Sequence, residues 1–329
     1  MSDTSIEWTD KVWNPLRGCS KVSEGCRNCY AIKTAHRFAG EGQPFEGLTQ
    51  NDGAGVNWTG KVMLVPEKLD EPLQWKKPYK IFVNSMSDLF HESVPDKFIA
   101  EVFAVMSMAN QHTFQLLTKR PEWMSRLLNS QVFWIMVNAH RIARGVSVLR
   151  GSGPILLPNV WIGVSVENQK AADERIPLLL QTPAAIRFLS CEPLLGPVDL
   201  SGWIFTDGLG NSIESPISWV IAGGESGHGA RPMHPEWARS LRDQCQAAGV
   251  SFLFKQWGEW LPNAQEYSAN PGNFDYERKH ILLDDGVPMC KAGKGKAGRK
   301  LDGRTWDEFP GELPLPFADE GEESATDHD

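Results

Sequence analysis

Six short apolar runs in this chain end in small or polar clusters and then give way to helical periodicity. This repetition constrains the fold more than any other feature. Lys80 to Val83 leads into Asn84-Ser85-Met86-Ser87-Asp88, followed by a helical pattern from Pro95 to about Ala109. Phe114 to Leu117 leads into Thr118-Lys119-Arg120-Pro121 and a further helix. Val160 to Val164 leads into Ser165-Val166-Glu167-Asn168 and a helix to about Leu180. Ile186 to Leu189 runs into Ser190-Cys191-Glu192-Pro193. Trp219 to Ala222 runs into Gly223-Gly224-Glu225-Ser226-Gly227, with a helix from Pro235 to Ala248, and Ser251 to Phe254 runs into Lys255-Gln256-Trp257-Gly258. Buried strands that alternate with crossover helices form a parallel sheet. With a first strand ahead of Cys19, the pattern predicts an α/β fold over residues 1–258, a partial or closed parallel β/α barrel. A doubly wound open sheet is the alternative. In both, ligands bind at the C-terminal strand ends. Asp88, Lys119, Glu167, Glu192, Glu225 and Lys255 gather at those ends. Acidic and small polar residues there also cap helices, so the recurrence at six strand ends favours a shared site more than any single residue does.

Two segments interrupt the rhythm. Residues 39–78 are rich in Gly, Pro and polar residues and read as an excursion between the first two barrel units. Residues 129–158 hold an apolar helical run, Val132 to Ala143, which is either a lid or another packed helix. Beyond Gly258 an irregular extension spans residues 259–317, and residues 318–329 form an acidic tail. The tail's Asp319, Glu320, Glu322, Glu323, Asp327 and Asp329 carry most of the net charge of −8, in a composition that predicts disorder. The body is therefore close to neutral and neither requires nor excludes a polyanionic partner. The N-terminus lacks a basic segment followed by an apolar run, so it does not read as a secretory signal. No window approaches 18 apolar residues, so no membrane span is expected. Six Cys in 329 residues is not a disulfide-rich composition, and the expected compartment is a reducing cytoplasm.

Three of those thiols lie close together. Cys19, Cys26 and Cys29 form a C-x6-C-x2-C array, in which residues 18–25 read as a loop and Asn28 to about Phe38 as a helix. The loop can wrap a metal centre, and Cys29 falls near a helix start, where backbone N–H groups favour thiolate. A cubane cluster held by three Cys leaves one iron open to chelate a substrate or cofactor. Zinc is the rival: His36 follows Cys29 by seven positions, and a Cys₃His site is conceivable if its side chain returns across about two helical turns. Cys191, Cys245 and Cys290 are dispersed and read as small buried side chains.

At this point the sequence resembles a known group. Trp13-Asn14-Pro15, the cysteine segment through Tyr30-Ala31, the motif from Asn84 to Phe90, and Leu117 to Pro121 carry the likeness. So do Gly163 to Asn168, Ser190 to Pro193, Gly223 to Ser226 with Ala230 to Pro232, Phe254 to Gly258 and Leu301 to Trp306. They resemble a phage and bacterial family known as a three-cysteine-motif phage protein of unknown function. That family is in turn similar to radical S-adenosylmethionine enzymes, whose usual spacing is C-x3-C-x2-C. Here the first gap has six residues, Asn28 stands where an aromatic residue usually precedes the third Cys, and Tyr30 follows it. The resemblance implies a barrel of the radical S-adenosylmethionine type, with a [4Fe–4S] cluster on Cys19, Cys26 and Cys29. It also implies S-adenosylmethionine as second cofactor and a reductase, flavodoxin or ferredoxin as electron donor. By position it assigns the cofactor's amino group to Ser85, Met86, Ser87 and Asp88, its ribose to Ser165 and Glu167, and its adenine to the backbone at Gly223 and Gly224.

The substrate is less constrained. Lys291, Lys294, Lys296, Arg299, Lys300 and Arg304 are interspersed with glycines and opposed only by Asp302. The segment is either a phosphate-binding strip or a solvated loop. Lys119, Arg120 and Arg231 add cations near strand ends, and Trp257 and Trp260 offer faces for a base. A nucleic-acid or nucleotide substrate is the preferred reading, in the form of base modification or lesion repair. Glu192, Glu225 and Lys255 are the candidate catalytic groups. The competing readings are a zinc-stabilised nucleic-acid-binding protein and a radical enzyme acting on a peptide or small metabolite.

Overall fold

The computed structural model describes residues 4–53, 55–151, 153–204, 216–265 and 278–311. The acidic tail at 318–329 lies outside them, as do residues 266–277 and 312–317 of the expected extension. Seven strands form the main sheet: β1 (Lys11–Trp13), β2 (Lys80–Val83), β3 (Thr113–Thr118), β4 (Val160–Ser165), β5 (Ile186–Cys191), β6 (Trp219–Gly223) and β7 (Ser251–Gln256). Every neighbouring pair is parallel. The spatial order is the chain order from β1 to β7. A doubly wound sheet must reverse its order at a switch point; this one never does. β1 and β7 do not pair with each other, so the sheet is a half-barrel open along one side. The β7 edge is covered by the chain's last described segment. Phe254 N donates to Trp306 O at 2.9 Å, and Phe252 N donates to the Glu308 carboxylate at 2.8 Å.

Crossover helices take the outer face: α1 (Tyr30–Arg37), α2 (Asp96–Met108), α3 (Pro121–Leu128), α4 (Gln131–Ala143), α5 (Gln169–Leu180) and α6 (Pro235–Ala248). Strand alternation sorts the side chains. Ile81, Val83, Phe114, Leu116, Ile162, Val164, Leu189, Val220, Phe252 and Phe254 pack outward, in one core with the helices. Phe82, Phe188, Trp219, Ile221 and Leu253 point inward around Trp8. The Trp8 ring lies 4.6 Å from Phe82 and 6.2 Å from Trp219, and Phe309 packs at a tilt 5.1 Å from Trp219. An aromatic plug thus fills the barrel interior, leaving its polar strand ends above.

The insertions are ordered. Within residues 39–78, strands Thr49–Asn51 and Val56–Trp58 form a hairpin beside α1, and Met63–Leu64 pairs with Leu16–Arg17. The run at 131–143 is a packed helix: Phe133 meets Phe103 at 5.3 Å, and Arg141 donates to Ser107 Oγ at 2.6 Å. The expected irregular extension instead holds a three-stranded sheet of Trp260–Pro262, Pro288–Lys291 and His280–Leu282. The segment Lys291 to Arg304 contains a short helix at Lys294–Ala297 and two strands that pair with each other. Among the described residues, no helix is long and apolar enough to cross a membrane.

Candidate active site

The cysteine loop lies across the C-terminal mouth of the half-barrel, where three strand ends clamp it through carboxylate–cation pairs. At the β2 end, Asp88 accepts from Thr118 Oγ1 at 2.8 Å, Phe90 N at 3.0 Å and Lys119 N at 3.1 Å. It also pairs with Arg120 at 3.2 Å. Arg120 in turn donates to Ser20 Oγ at 2.8 Å and approaches Cys19 Sγ at 3.8 Å. At the β4 end, Glu167 pairs with Arg175 at 2.7 Å and Lys119 at 3.6 Å, and accepts from Ser23 Oγ. A Cβ on Gly25 would run into the Glu167 carboxylate, so the loop can seat there only with glycine. At the β6 end, Glu225 pairs with Arg231 at 2.7 Å and accepts from Asn28 Nδ2 at 2.8 Å, while Arg231 reaches Glu24 O at 2.9 Å.

This arrangement reassigns several residues. Glu167, expected on the cofactor ribose, is buried and lines neither cavity; its oxygens hold the loop and α5. Burial alone would raise its carboxyl, but Lys119 and Arg175 hold it below the usual carboxylate range. Arg120 and Arg231, expected on phosphate, face protein carboxylates. Trp257 is 1% exposed, packs on Phe254 and donates to Lys300 O at 2.8 Å. Trp260 is buried with its N–H on Ala230 O at 2.7 Å. Both rings belong to the core and present no face for stacking. Gly224 lies hard against the Trp257 carbonyl, where a Cβ would collide; its glycine serves backbone packing.

Cys19, Cys26 and Cys29 line one cavity of about 150 Å³ with Asn84, Ser85, Met86, Ser87 and Asp88. Burial, helped by Asp88 and opposed by Arg120, pushes the Cys19 thiol up to about 12. Burial likewise raises Cys29, against the favourable N–H groups of Ala31 and Ile32 at the start of α1. A bound cation would favour the thiolate at both, because a coordinated thiol is deprotonated outright. Among the described residues, no three Cys, His, Asp or Glu side chains converge tightly enough to grip one ion. His36 is exposed, its Nδ1 lies 3.0 Å from Thr49 Oγ1, and it lines neither cavity. Cys191, Cys245 and Cys290 are buried elsewhere.

One residue of this cavity was read in the sequence only as part of a motif, with no role of its own. Asn84 is 3% exposed, has φ of 61°, and neither its Oδ1 nor its Nδ2 has a partner. Left-handed backbone is tolerated by Asn, but a buried amide with no partner costs about 1–3 kcal/mol per group. The signal was available in β2: alternation from inward Phe82 places Asn84 on the inner face.

A larger cavity of about 360 Å³ adjoins the first and shares Gly25, Cys29, Tyr30, Phe82, Leu117, Lys119 and Ser165 with it. Glu192, Gly224, Glu225, Lys255 and Lys294 also line it. Lys255 Nζ lies 2.8 Å from Glu192. Gly223 backs this pair, and its missing Cβ would meet Lys255 and Glu192 at ordinary contact distance. Of the basic segment only Lys294 reaches this cavity. Arg299 is tied to Lys255 O at 3.0 Å and to Asp307. Neither Lys296 nor Lys300 lines either of these two cavities.

Residues 3–310 match the family described as "Protein of unknown function (DUF5131)". No curated protein matches the sequence. Two solved structures are similar in outline. A cysteine-to-serine mutant of spore photoproduct lyase aligns over 88% of this chain and 71% of its own, with TM-score 0.37 and 9% identity. Spore photoproduct lyase complexed with dinucleoside spore photoproduct aligns over 84% and 66%, with TM-score 0.32 and 10% identity. Neither likeness is close enough to carry a function to this chain.

Proposed function

We propose that this chain, which belongs to the DUF5131 family of proteins of unknown function, is a radical S-adenosylmethionine enzyme. In this reading Cys19, Cys26 and Cys29 hold a [4Fe–4S] cluster, and the substrate is a nucleobase or nucleotide in the larger cavity. The observation that carries it is the junction of two cavities at the mouth of a parallel half-barrel, with Cys29 in their common wall. The residues fit the cluster. Three thiols from one clamped loop line a single cavity without converging on one point, as ligands to separate irons of one cluster must, and the orphaned amide of Asn84 belongs to the same lining. Zinc finds less support, because His36, the fourth ligand of a Cys₃His site, is engaged outside the cavity.

When bound, such a cluster supplies the electron that splits S-adenosylmethionine into methionine and a 5′-deoxyadenosyl radical. The chain's own residues orient and seclude. Asn84 has a donor and an acceptor for the cofactor's amino and carboxylate groups. Ser85, Met86 and Ser87 are held by the first barrel unit: Ser85 by Asn14 at 3.2 Å, Ser87 by Leu16 O at 2.9 Å. Asp88 acts one step back, by holding Arg120 against the Cys19 loop. Ser165 lines both cavities and remains the ribose candidate. On the substrate side, Lys255 Nζ and the Glu192 carboxylate present a proton donor beside an acceptor, and the apolar walls of Phe82 and Leu117 exclude water. The anaerobically reconstituted, reduced protein should release 5′-deoxyadenosine from S-adenosylmethionine, and Asn84→Leu should weaken cofactor binding about tenfold or more with iron content unchanged. Intact S-adenosylmethionine after prolonged incubation of a fully loaded protein would contradict the reading.

A further inference from the structure

We infer that the larger cavity selects a guanine-type base, read through Trp8, Glu7 and Gln256; this rests on the reading above that the cavity receives a nucleobase. The cations in its lining are already matched. Lys119 pairs with Glu167 at 3.6 Å, Lys255 with Glu192 at 2.8 Å and Lys294 with Glu7 at 3.8 Å. A cavity balanced in this way favours a neutral polar ligand over an anion, since an added charge would find no free counter-charge. Phe82, Leu117 and Ile6 supply apolar surface for a flat ring, and a volume of about 360 Å³ suits one small molecule.

The unmet hydrogen-bonding capacity of the lining then specifies the ligand's edge. Three buried polar atoms of lining residues have no partner: Trp8 Nε1, Gln256 Oε1 and Glu7 Oε2. Buried polar groups are almost always paired, so three on one cavity call for a partner that the chain does not supply. The indole nitrogen can only donate, and the amide and carboxylate oxygens can only accept. The matching ligand therefore brings one acceptor and two donors. Guanine has that set on its pairing edge: O6 accepts, while N1–H and the 2-amino group donate. Adenine and cytosine each offer one amino donor beside acceptors, and thymine or uracil offers one N–H between two acceptors. The carboxylate of Glu7 reinforces the choice, because its unpartnered oxygen accepts from a donor and repels an acceptor-rich edge.

Equilibrium dialysis of the iron-reconstituted protein, without S-adenosylmethionine or reductant, tests this directly. Guanosine should bind at least about tenfold more tightly than adenosine, cytidine or uridine. Inosine, which lacks the 2-amino group, should lose about tenfold, as should guanosine against Trp8→Phe. The inosine arm uses the unaltered protein and so does not depend on whether a variant folds. Guanosine 5′-monophosphate and a single-stranded oligonucleotide ending in guanosine separate the two sources of such a base, and the tighter binder identifies which one the site takes. Equal affinities for the nucleosides, full retention of the preference in Trp8→Phe, or no binding of any guanine-bearing probe overturns the inference. Release of 5′-deoxyadenosine by the same preparation reports on the radical reading separately, so either can fail alone.

Discussion

The two ends of the half-barrel's inner face are built from the same strands and in opposite ways. Toward the strand starts, Phe188 and Trp219 fill the interior with Phe309 packed at a tilt on Trp219, and Trp8 and Phe82 lie between this plug and the larger cavity. At the strand ends a few residues away, Asp88, Lys119, Glu167, Glu192, Glu225 and Lys255 stand in ion pairs around two cavities. The closed end invests in stability and the open end in placing groups, the division expected of β/α barrels. The open end is subdivided again. Asp88, Glu167 and Glu225 hold the cysteine loop, whereas Glu192, Lys255 and the orphaned atoms of Asn84, Trp8 and Gln256 are left for ligands.

This division can be broken from either end. The largest effect on stability belongs to the closed end: Trp219→Ala should cost about 3–5 kcal/mol in chemical denaturation, while the surviving folded protein keeps its iron. A variant that loses iron but not stability would invert the comparison. Next comes the loop clamp. Glu225→Gln leaves Arg231 without its carboxylate and should cost about 1–3 kcal/mol, together with looser metal retention during dialysis against a chelator. The same variant carries a pH signature. Burial would raise the Glu225 carboxyl, but its hydrogen bonds from Arg231 and Asn28 hold it below the usual range. Its contribution to stability is therefore present above the unfolded carboxyl's pKa and is lost as pH falls through the lower folded value. Denaturation midpoints of parent and variant should differ most near neutral pH and converge in acid; a constant gap would show that the pair does not act through charge. The smallest effect belongs to the basic segment. Lys296 lines neither of the two cavities, and Lys296→Gln should shift stability by less than about 0.5 kcal/mol. A large fall in nucleotide affinity on that change would restore the segment as a phosphate strip.

Much of the architecture was legible in sequence because strand period, polar strand ends and helical period agree at each unit. The runs at 80–83, 186–189 and 219–222 correspond to β2, β5 and β6 to within two residues. The gathering of Lys119, Glu192 and Lys255 around one cavity was likewise readable from their places at strand ends. What sequence could not separate is a charge that faces a ligand from one that faces the protein. Arg120, Glu167 and Arg231 lie at the right height, but partners distant in sequence claim them: Asp88 and Ser20 for Arg120, Ser23 and Lys119 for Glu167, and Glu24 for Arg231 beside its near neighbour Glu225. Trp257 shows the converse limit. Its place beside a strand end suggested a stacking face, yet the turn that follows β7 directs the ring to the outer core beside Phe254. Asn84 and Trp8 were given no role in the sequence because an unpartnered buried atom is a property of packing.

The account turns on what the three clamped thiols hold. Anaerobic reconstitution with iron and sulfide, followed by metal and sulfide analysis and visible absorption, measures it directly. The expected result is a brown protein with about four irons and four sulfides per chain. That cluster should be lost on replacing Cys19, Cys26 or Cys29 with Ala and kept on replacing Cys191, Cys245 or Cys290. A colourless protein that retains one tightly bound zinc per chain and takes up no iron would contradict it.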